Sequence, residues 1–380
     1  MNISIDRALE ILSEFPILSN TEVIDLNKAY KRILSEDMNA LVDSPPFDNS
    51  SIDGWAILST DSPSDRQQVE TIFAGDTIPR PLQPGEAFRI MTGAPTPPNA
   101  DALVMVEDGL HGVARKNFIR RKGENISKGM VALEKNTMLT SAPLALLATI
   151  GHSQVPVYSR PKVSIISTGD ELVKPGSRLE PGQIYESNSI LLSSLLQKAG
   201  AISTNFKSSD NIDSLRELFD QCAKSSDLIL TSGGVSMGDH DFVRRLLIEE
   251  GEPYFWKVKM RPGGPPIFGM WKGTPILGLP GNPVSSHIVF LNLVVPWISN
   301  PKLFYKKIRI RLNNKLKGAE EKTVFRRLKI HSTNELTATT HTHQGSGNIN
   351  SMVVHDALSI LPPNTNGKIG DIIDALWLID

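Results

Sequence analysis

"LILTSGGVSMGDHDF" runs from Leu228 to Phe242. Its first half is an unbroken apolar strand pattern that ends in Ser232-Gly233-Gly234. Its second half sets Asp239, His240 and Asp241 just ahead of the next helical pattern. A short apolar run of this kind fits a strand buried on both faces of a parallel sheet. Glycines at a strand's end expose backbone N–H groups that can cradle phosphate, and a plain tight turn accounts for them equally well. Carboxylates beside phosphate repel it unless a hard cation lies between them; Mg²⁺ commonly bridges a few carboxylates to substrate phosphates. Taken singly, either acid also reads as helix N-terminal charge complementing the dipole, and His240 as a local hydrogen-bonding residue.

The flanking segments repeat the alternation. "KVSIIST" from Lys162 reads as a buried strand. "SNSILLSSLLQKAG" is a helix with Ser187 or Asn188 as N-cap and Gly200 as its stop. "AISTNFKSS" is a strand, and "NIDSLRELFDQCAKSS" is a helix with Ile212, Leu215, Leu218, Phe219 and Cys222 on one face. "DFVRRLLIEEG" is the next helix, and a last one starts at Pro283. Strands alternating with helices predict a mostly parallel sheet covered on both faces, with ligands outside the strands' carboxyl ends.

Outside this region the texture changes. Helical patterns are expected near Ile5–Phe15 and Thr21–Glu36. From Gly54 to about Gly123, short alternating segments between Gly, Pro, Asn and Asp turns predict an all-β unit. The tail from about Lys302 reads as β again, a small sheet or barrel. The expected organisation is an α/β domain over 1–20 plus 157–299, a small helical linking domain over 21–44 plus 130–156, an inserted all-β domain over 45–129, and a C-terminal β-barrel-like domain over 300–380.

The 380 residues carry a formal net charge of −1, so no global field favours nucleic acid or an anionic membrane, and any anion site must be local. The single cysteine excludes an intramolecular disulfide and a CxxC zinc site. No signal peptide is indicated at the N-terminus, and the most apolar stretch, Ile288 to Ile298, is too short to span a bilayer. A soluble cytoplasmic protein is expected.

Three loops lie where an α/β sheet places its ligand: "STGDEL" (Ser167–Leu172), the opening stretch, and "GLPGNPVSS" (Gly278–Ser286). In the last, Asn282 suits an N-cap and Pro283 the first helical position, and the free amides of such a helix end favour anions. A well-capped helix start explains that loop alone. Together the loops describe a pocket for a phosphorylated ligand with a divalent metal. Asp48, Asn49, Ser50 and Asp53 in "PPFDNSSIDGWA" and the basic Lys259 and Arg261 before a Pro-Gly-Gly-Pro turn are further candidates, with an Asx-type loop and a solvated basic turn as the plain alternatives.

In this order, "FDNSSIDGWA", "RIMTGAP", "KGENISKG", "STGDEL", "TSGGVSMGDHDF", "RPGGPPIFG", "GLPGNPVS" and "HQGS" resemble the molybdopterin molybdenumtransferases, bacterial MoeA and the homologous domain of gephyrin and plant Cnx proteins. The resemblance covers nearly all of Pro45 to Ser346. It implies that adenylylated molybdopterin and molybdate bind, Mg²⁺ assists, AMP leaves, and molybdenum joins the dithiolene sulfurs. It implies a homodimer of four-domain subunits, with a molybdopterin adenylyltransferase and molybdoenzyme-maturation proteins as further partners.

By matched position, the resemblance assigns Asp53, Glu171, Asp241 and Arg261 to catalysis, with Glu171 and Asp241 holding metal or positioning water. Thr168, Gly169, Asp210, Ser232, Gly233, Gly234 and Ser236 would line nucleotide or pterin phosphate. Pro280, Gly281, Asn282, Pro283 and Ser285 would form a second anion wall. Arg261 and Arg327 would help hold molybdate or phosphate, Ser346 would bind the cofactor, and Asp53 would reach the partner's pocket.

The chain departs from the family at Asn125, where many relatives read Asp, and at Gly264, where many bacterial relatives carry Lys. Two rival readings use the same α/β pocket: a molybdopterin adenylyltransferase, against which the flanking β regions argue, and a catalytically inactive scaffold, against which Asp53, Glu171 and Asp241 argue.

Overall fold

The computed structural model describes residues 2–17, 20–235, 241–299, 304–332, 335–340 and 343–378. The chain divides into two compact units, Met1–Ser19 with Ser159–Asp380, and Asn20–Tyr158.

The first unit is built on a six-stranded sheet in the order Ile202–Ser208, Lys162–Thr168, Leu228–Ser232, Thr274–Leu279, Ile267–Trp271, Glu252–Trp256. The first four strands pair in parallel. The last two attach antiparallel, so the sheet is mixed at that edge. Its central strands are apolar throughout because both faces are covered. Val163, Ile165, Leu228, Leu230, Leu277 and Leu279 pack with the helices Ile5–Ser13, Asn188–Lys198 and Pro283–Val289. Ile166, Ile229 and Ile276, pointing the other way, pack with the helices Ile212–Ala223 and Phe242–Glu249. The two-residue alternation of a strand thus feeds two separate cores, each buried aliphatic side chain contributing about 1.5–3 kcal/mol. Cys222 is fully buried in the second core beside Leu215 and Phe219.

The parallel strands also end level. Ser167 lies opposite Ser232, Ser232 opposite Leu279, and Thr168 opposite Ser208. Their four following loops therefore leave the sheet at one edge.

The C-terminal strands Tyr305–Leu312, Thr337–Thr340, Arg327–Ser332, Ala357–Ile360 and Ile372–Leu378 close into a barrel, which leaves no free strand edge. The barrel is joined to the α/β part by a short parallel pairing of Met260–Arg261 with Thr323–Val324.

In the second unit, a four-stranded sheet (Gln67–Ile72, Glu86–Ile90, Gly54–Ile57, Ala102–Met105) carries the core of Ile72, Phe88, Ile90 and Leu103. The helix expected over Thr21–Glu36 is absent. Thr21–Asp25 is a strand paired antiparallel with Gln154–Tyr158, followed by the single 3₁₀ turn Leu26–Lys28. The β-branched Thr21, Val23 and Ile24 suit an extended backbone, and the left-handed φ of 60° at Lys31 is incompatible with a continuing helix. The helix of this region is Ser141–Thr149 instead. No helix among the described residues is long and apolar enough to cross a membrane.

Candidate active site

The level strand ends enclose a cavity of about 710 Å³. Each parallel strand contributes to its wall: Thr168, Gly169 and Glu171 after the first, Asp210 after the second, Ser232, Gly233 and Gly234 after the third, and Gly281, Asn282 and Pro283 after the fourth. Asp241, at the start of the helix Phe242–Glu249, completes the acidic side.

Local backbone geometry explains the residue types. Gly233 has φ of +98°, and a Cβ there would lie 2.9 Å from Thr168 Oγ1, so only glycine lets the turn pass under the first strand. Gly281 has room in front of it, the nearest atom to an added Cβ being the Gly233 Cα at 3.6 Å. That space is what a ligand would use. The Asp170 carboxylate accepts the Asp210 N–H at 3.2 Å and the Asp210 carboxylate accepts the Asp170 N–H at 3.3 Å, tying two site loops together. Asp241 holds the N-cap position but makes no side-chain cap bond. Asn282 also sits at an N-cap without a capping bond, and its side chain borders the cavity.

The fourth loop presents fewer free amides than its helix-start pattern predicts. Pro283 has no N–H, and the Val284 N–H donates to the Ser346 carbonyl at 3.1 Å. Ser346 thus enters as a backbone acceptor that pins the 343–349 segment onto this helix, and Gly347 and Ile349 close the cavity from that side. Pro280 and Ser285 are buried and do not line the cavity. The Pro280 carbonyl accepts from the Ser286 hydroxyl.

Three family models match the chain: "MoeA N-terminal region (domain I and II)" over residues 3–151, "Probable molybdopterin binding domain" over 164–300, and "MoeA C-terminal region (domain IV)" over 309–378. A Haemophilus influenzae molybdopterin molybdenumtransferase is 37% identical over 315 residues, covering 78% of this chain and 77% of its own length. The chain belongs to the molybdopterin molybdenumtransferase family. A Bacillus subtilis molybdopterin molybdenumtransferase is 33% identical over 392 residues, covering 96% of this chain and 91% of its own. The crystal structure of a molybdopterin biosynthesis MoeA protein from Pyrococcus horikosii superimposes with a TM-score of 0.83 at 29% identity, covering 99% of both chains.

Not every residue that the family motifs single out reaches this cavity. Arg261 lines a second cavity of about 700 Å³ beside the Gly263-Gly264 turn. Arg327, on a barrel strand, is 1% exposed, covered by the segment that carries Gly345 and Ser351. Its guanidinium donates to Ser351 Oγ and the Gly345 carbonyl, both at 3.0 Å, and its buried Nη1 has no hydrogen-bond partner. Burial, reinforced by the neighbouring Arg326 charge, pushes its pKa down to about 10. A buried cation with an unused N–H and a depressed pKa favours an anion beside it.

Asp53 belongs to the other unit, Asn20–Tyr158. Its carboxylate accepts the Thr92 N–H at 2.7 Å and the Thr92 hydroxyl at 2.8 Å. Those bonds, first the backbone one, hold its pKa below the ordinary aspartate value, so it is anionic at neutral pH. Ser236, Asp239 and His240 lie outside the described residues.

Asn188 was legible only as a helix cap. Its side-chain amide donates to Ser232 Oγ and to the Gly281 carbonyl, each at 2.7 Å, and so bolts the third and fourth loops together. The polar run Tyr185-Glu186-Ser187-Asn188, directly ahead of an apolar helix, was the available signal; all four line the cavity.

Among the described residues no three His, Cys, Asp or Glu side chains converge as a preformed metal cage. Glu171 and Asp241, both lining the cavity, fit Mg²⁺ in its commoner mode, in which one or two carboxylates act with substrate phosphates and water.

Proposed function

We propose that the chain inserts molybdenum into molybdopterin, taking adenylylated molybdopterin and molybdate and releasing AMP. The observation that carries this reading is the convergence of two glycine-lined loops and two carboxylates, Glu171 and Asp241, on one cavity at the carboxyl edge of the parallel strands. Substrate phosphates would lie against the Gly233-Gly234 and Gly281-Asn282 backbone. Mg²⁺, when bound, would neutralise diphosphate charge as its linkage is cleaved. Glu171 and Asp241 would hold that ion or orient the attacking water, and Asn188 keeps the phosphate loops at fixed separation. Arg261 would bind oxyanion beside the Gly263-Gly264 turn, and the unused N–H of Arg327 would bind oxyanion near Gly345 and Ser351.

The reading includes a homodimer in which Asp53 of one subunit serves its partner's cavity, a cytoplasmic setting, and exchange with a molybdopterin adenylyltransferase and molybdoenzyme-maturation proteins. The Thr92 bonds that keep Asp53 anionic suit it to that role.

The test is single-turnover AMP release from adenylylated molybdopterin with Mg²⁺, with and without molybdate, for wild type, Glu171→Ala and Asp241→Ala. Molybdate-dependent release, lost in both variants, is expected. Nucleotide binding without release would favour a scaffold, and synthesis of the adenylylated species from ATP would favour the adenylyltransferase. Mixing Asp53→Asn with Glu171→Gln protein should restore part of the activity that neither has alone; no restoration would overturn the cross-subunit arrangement.

A further inference from the structure

The second cavity is walled by both the α/β part and the barrel. Arg261, Gly263 and Gly264 come from the turn, and Glu320, Glu321 and Lys322 from the barrel. Their juxtaposition is built into the backbone. The Thr323 N–H donates to the Lys259 carbonyl at 2.9 Å and the Phe325 N–H to the Arg261 carbonyl at 2.8 Å, so the residue before Thr323 must project beside the turn. Lys322 Nζ lies 3.9 Å from the position that a Cβ on Gly264 would occupy. Glycine at 264 leaves the turn without a side chain of its own, and a cation from another element stands next to that gap.

The charge balance there favours an anion. Glu321 pairs with Lys259 at 3.7 Å, and the cavity wall sets Arg261 and Lys322 against Glu320. Burial, and after it the Arg261 charge, disfavours the charged form of Arg326. Two cations against one acid create a local positive potential in a molecule whose net charge is −1.

We infer that Lys322 is an oxyanion-binding residue, supplying from the barrel the cation that the Gly263-Gly264 turn lacks. The ligand is a tetrahedral oxyanion, molybdate or a phosphate group. The inference rests on the functional reading above, in that it assigns this cavity to that reaction's oxyanion.

The experiment is calorimetric titration of the full chain with sodium molybdate and, separately, inorganic phosphate, for wild type, Lys322→Gln, Lys322→Arg and the double variant Gly264→Lys with Lys322→Gln. Loss of one charge-assisted contact should weaken oxyanion binding by about tenfold or more in Lys322→Gln. Lys322→Arg should retain it. The double variant should recover it, because Gly264 does not have a left-handed φ and its nearest obstacle, the Met260 carbonyl, is 3.3 Å from the added Cβ. Preference for molybdate over phosphate in the wild type, or the reverse, identifies which oxyanion the cavity selects. Unchanged affinity in Lys322→Gln overturns the role of Lys322, and so does wild-type protein that binds neither anion. Molybdate-dependent AMP release by the wild type, measured alongside, reports separately on the functional reading, which stands or falls by that signal.

Discussion

Asp170 and Asp210 each accept the other's backbone N–H, at 3.2 and 3.3 Å. Two acids that would repel each other are held together because each carboxylate is spent on a main-chain donor. The clasp links the loops that carry Glu171 and Asp210 into the cavity. Replacing Asp170 with Asn keeps a side-chain oxygen acceptor, and turnover should stay within about threefold of wild type. Asp170→Ala removes one bond and leaves the Asp210 N–H to water, about 1 kcal/mol, so kcat should fall about five- to tenfold. Single-turnover kinetics on both variants separates the clasp from a requirement for charge at position 170.

The Glu171 side chain folds back over Gly169, whose φ is +134°, and a Cβ on Gly169 would collide with the Glu171 carboxylate. Gly169→Ala should therefore behave as a Glu171 variant: turnover down about a hundredfold with Mg²⁺ affinity lowered, while Glu171 itself is still present. If Gly169→Ala retains Mg²⁺-dependent turnover, the position of the Glu171 carboxylate does not matter to the reaction.

Arg327 offers a thermal test. Oxyanion bound beside its unused Nη1 should raise the melting temperature, a ligand at a hundred times its Kd contributing about 2.7 kcal/mol. In Arg327→Met the molybdate-induced rise should vanish. Unliganded Arg327→Met should melt close to wild type, because losing the bonds to Ser351 and Gly345 is offset by no longer burying an unpaired charge. Differential scanning fluorimetry with and without molybdate measures both effects.

Cys222 is fully buried, and burial holds its thiol above the ordinary value of 9.0. Thiol reagents should leave it unmodified in the native protein and react once it unfolds. The folded state keeps the proton that the unfolded state loses above 9.0, so this contribution to stability is complete below that pH and declines as pH rises past it. The fall in melting temperature from about pH 8 to about pH 10 should be smaller in Cys222→Ala than in wild type.

Much of the α/β part was legible because its signals are local and mutually consistent. Apolar runs of strand length, helix faces such as Leu215, Phe219 and Cys222, and the stops at Gly200 and Gly233 all agree with the observed elements. Thr21–Glu36 misled because a short β-branched segment takes its conformation from its partner, here Gln154–Tyr158, more than a hundred residues away. The site residues divide in the same way. Gly233, Gly234, Glu171 and Asp241 sit directly after or before elements that the periodicity marks, and the cavity contains them. Asn188 bridges two loops that no local pattern connects.

In the α/β part the sequence by itself determined which segments are strands, which are helices, and that polar and glycine-rich loops follow the parallel strands, since alternation and turn chemistry act over a few residues. Only the tertiary structure decided the strand register that brings Thr168, Ser232 and Leu279 to one edge. It also gave the Val284 N–H to Ser346 rather than to a ligand, buried Arg327 with one N–H unused, and set Lys322 beside Gly264. Each of these is a pairing between distant parts of the chain, fixed by packing that no local propensity encodes.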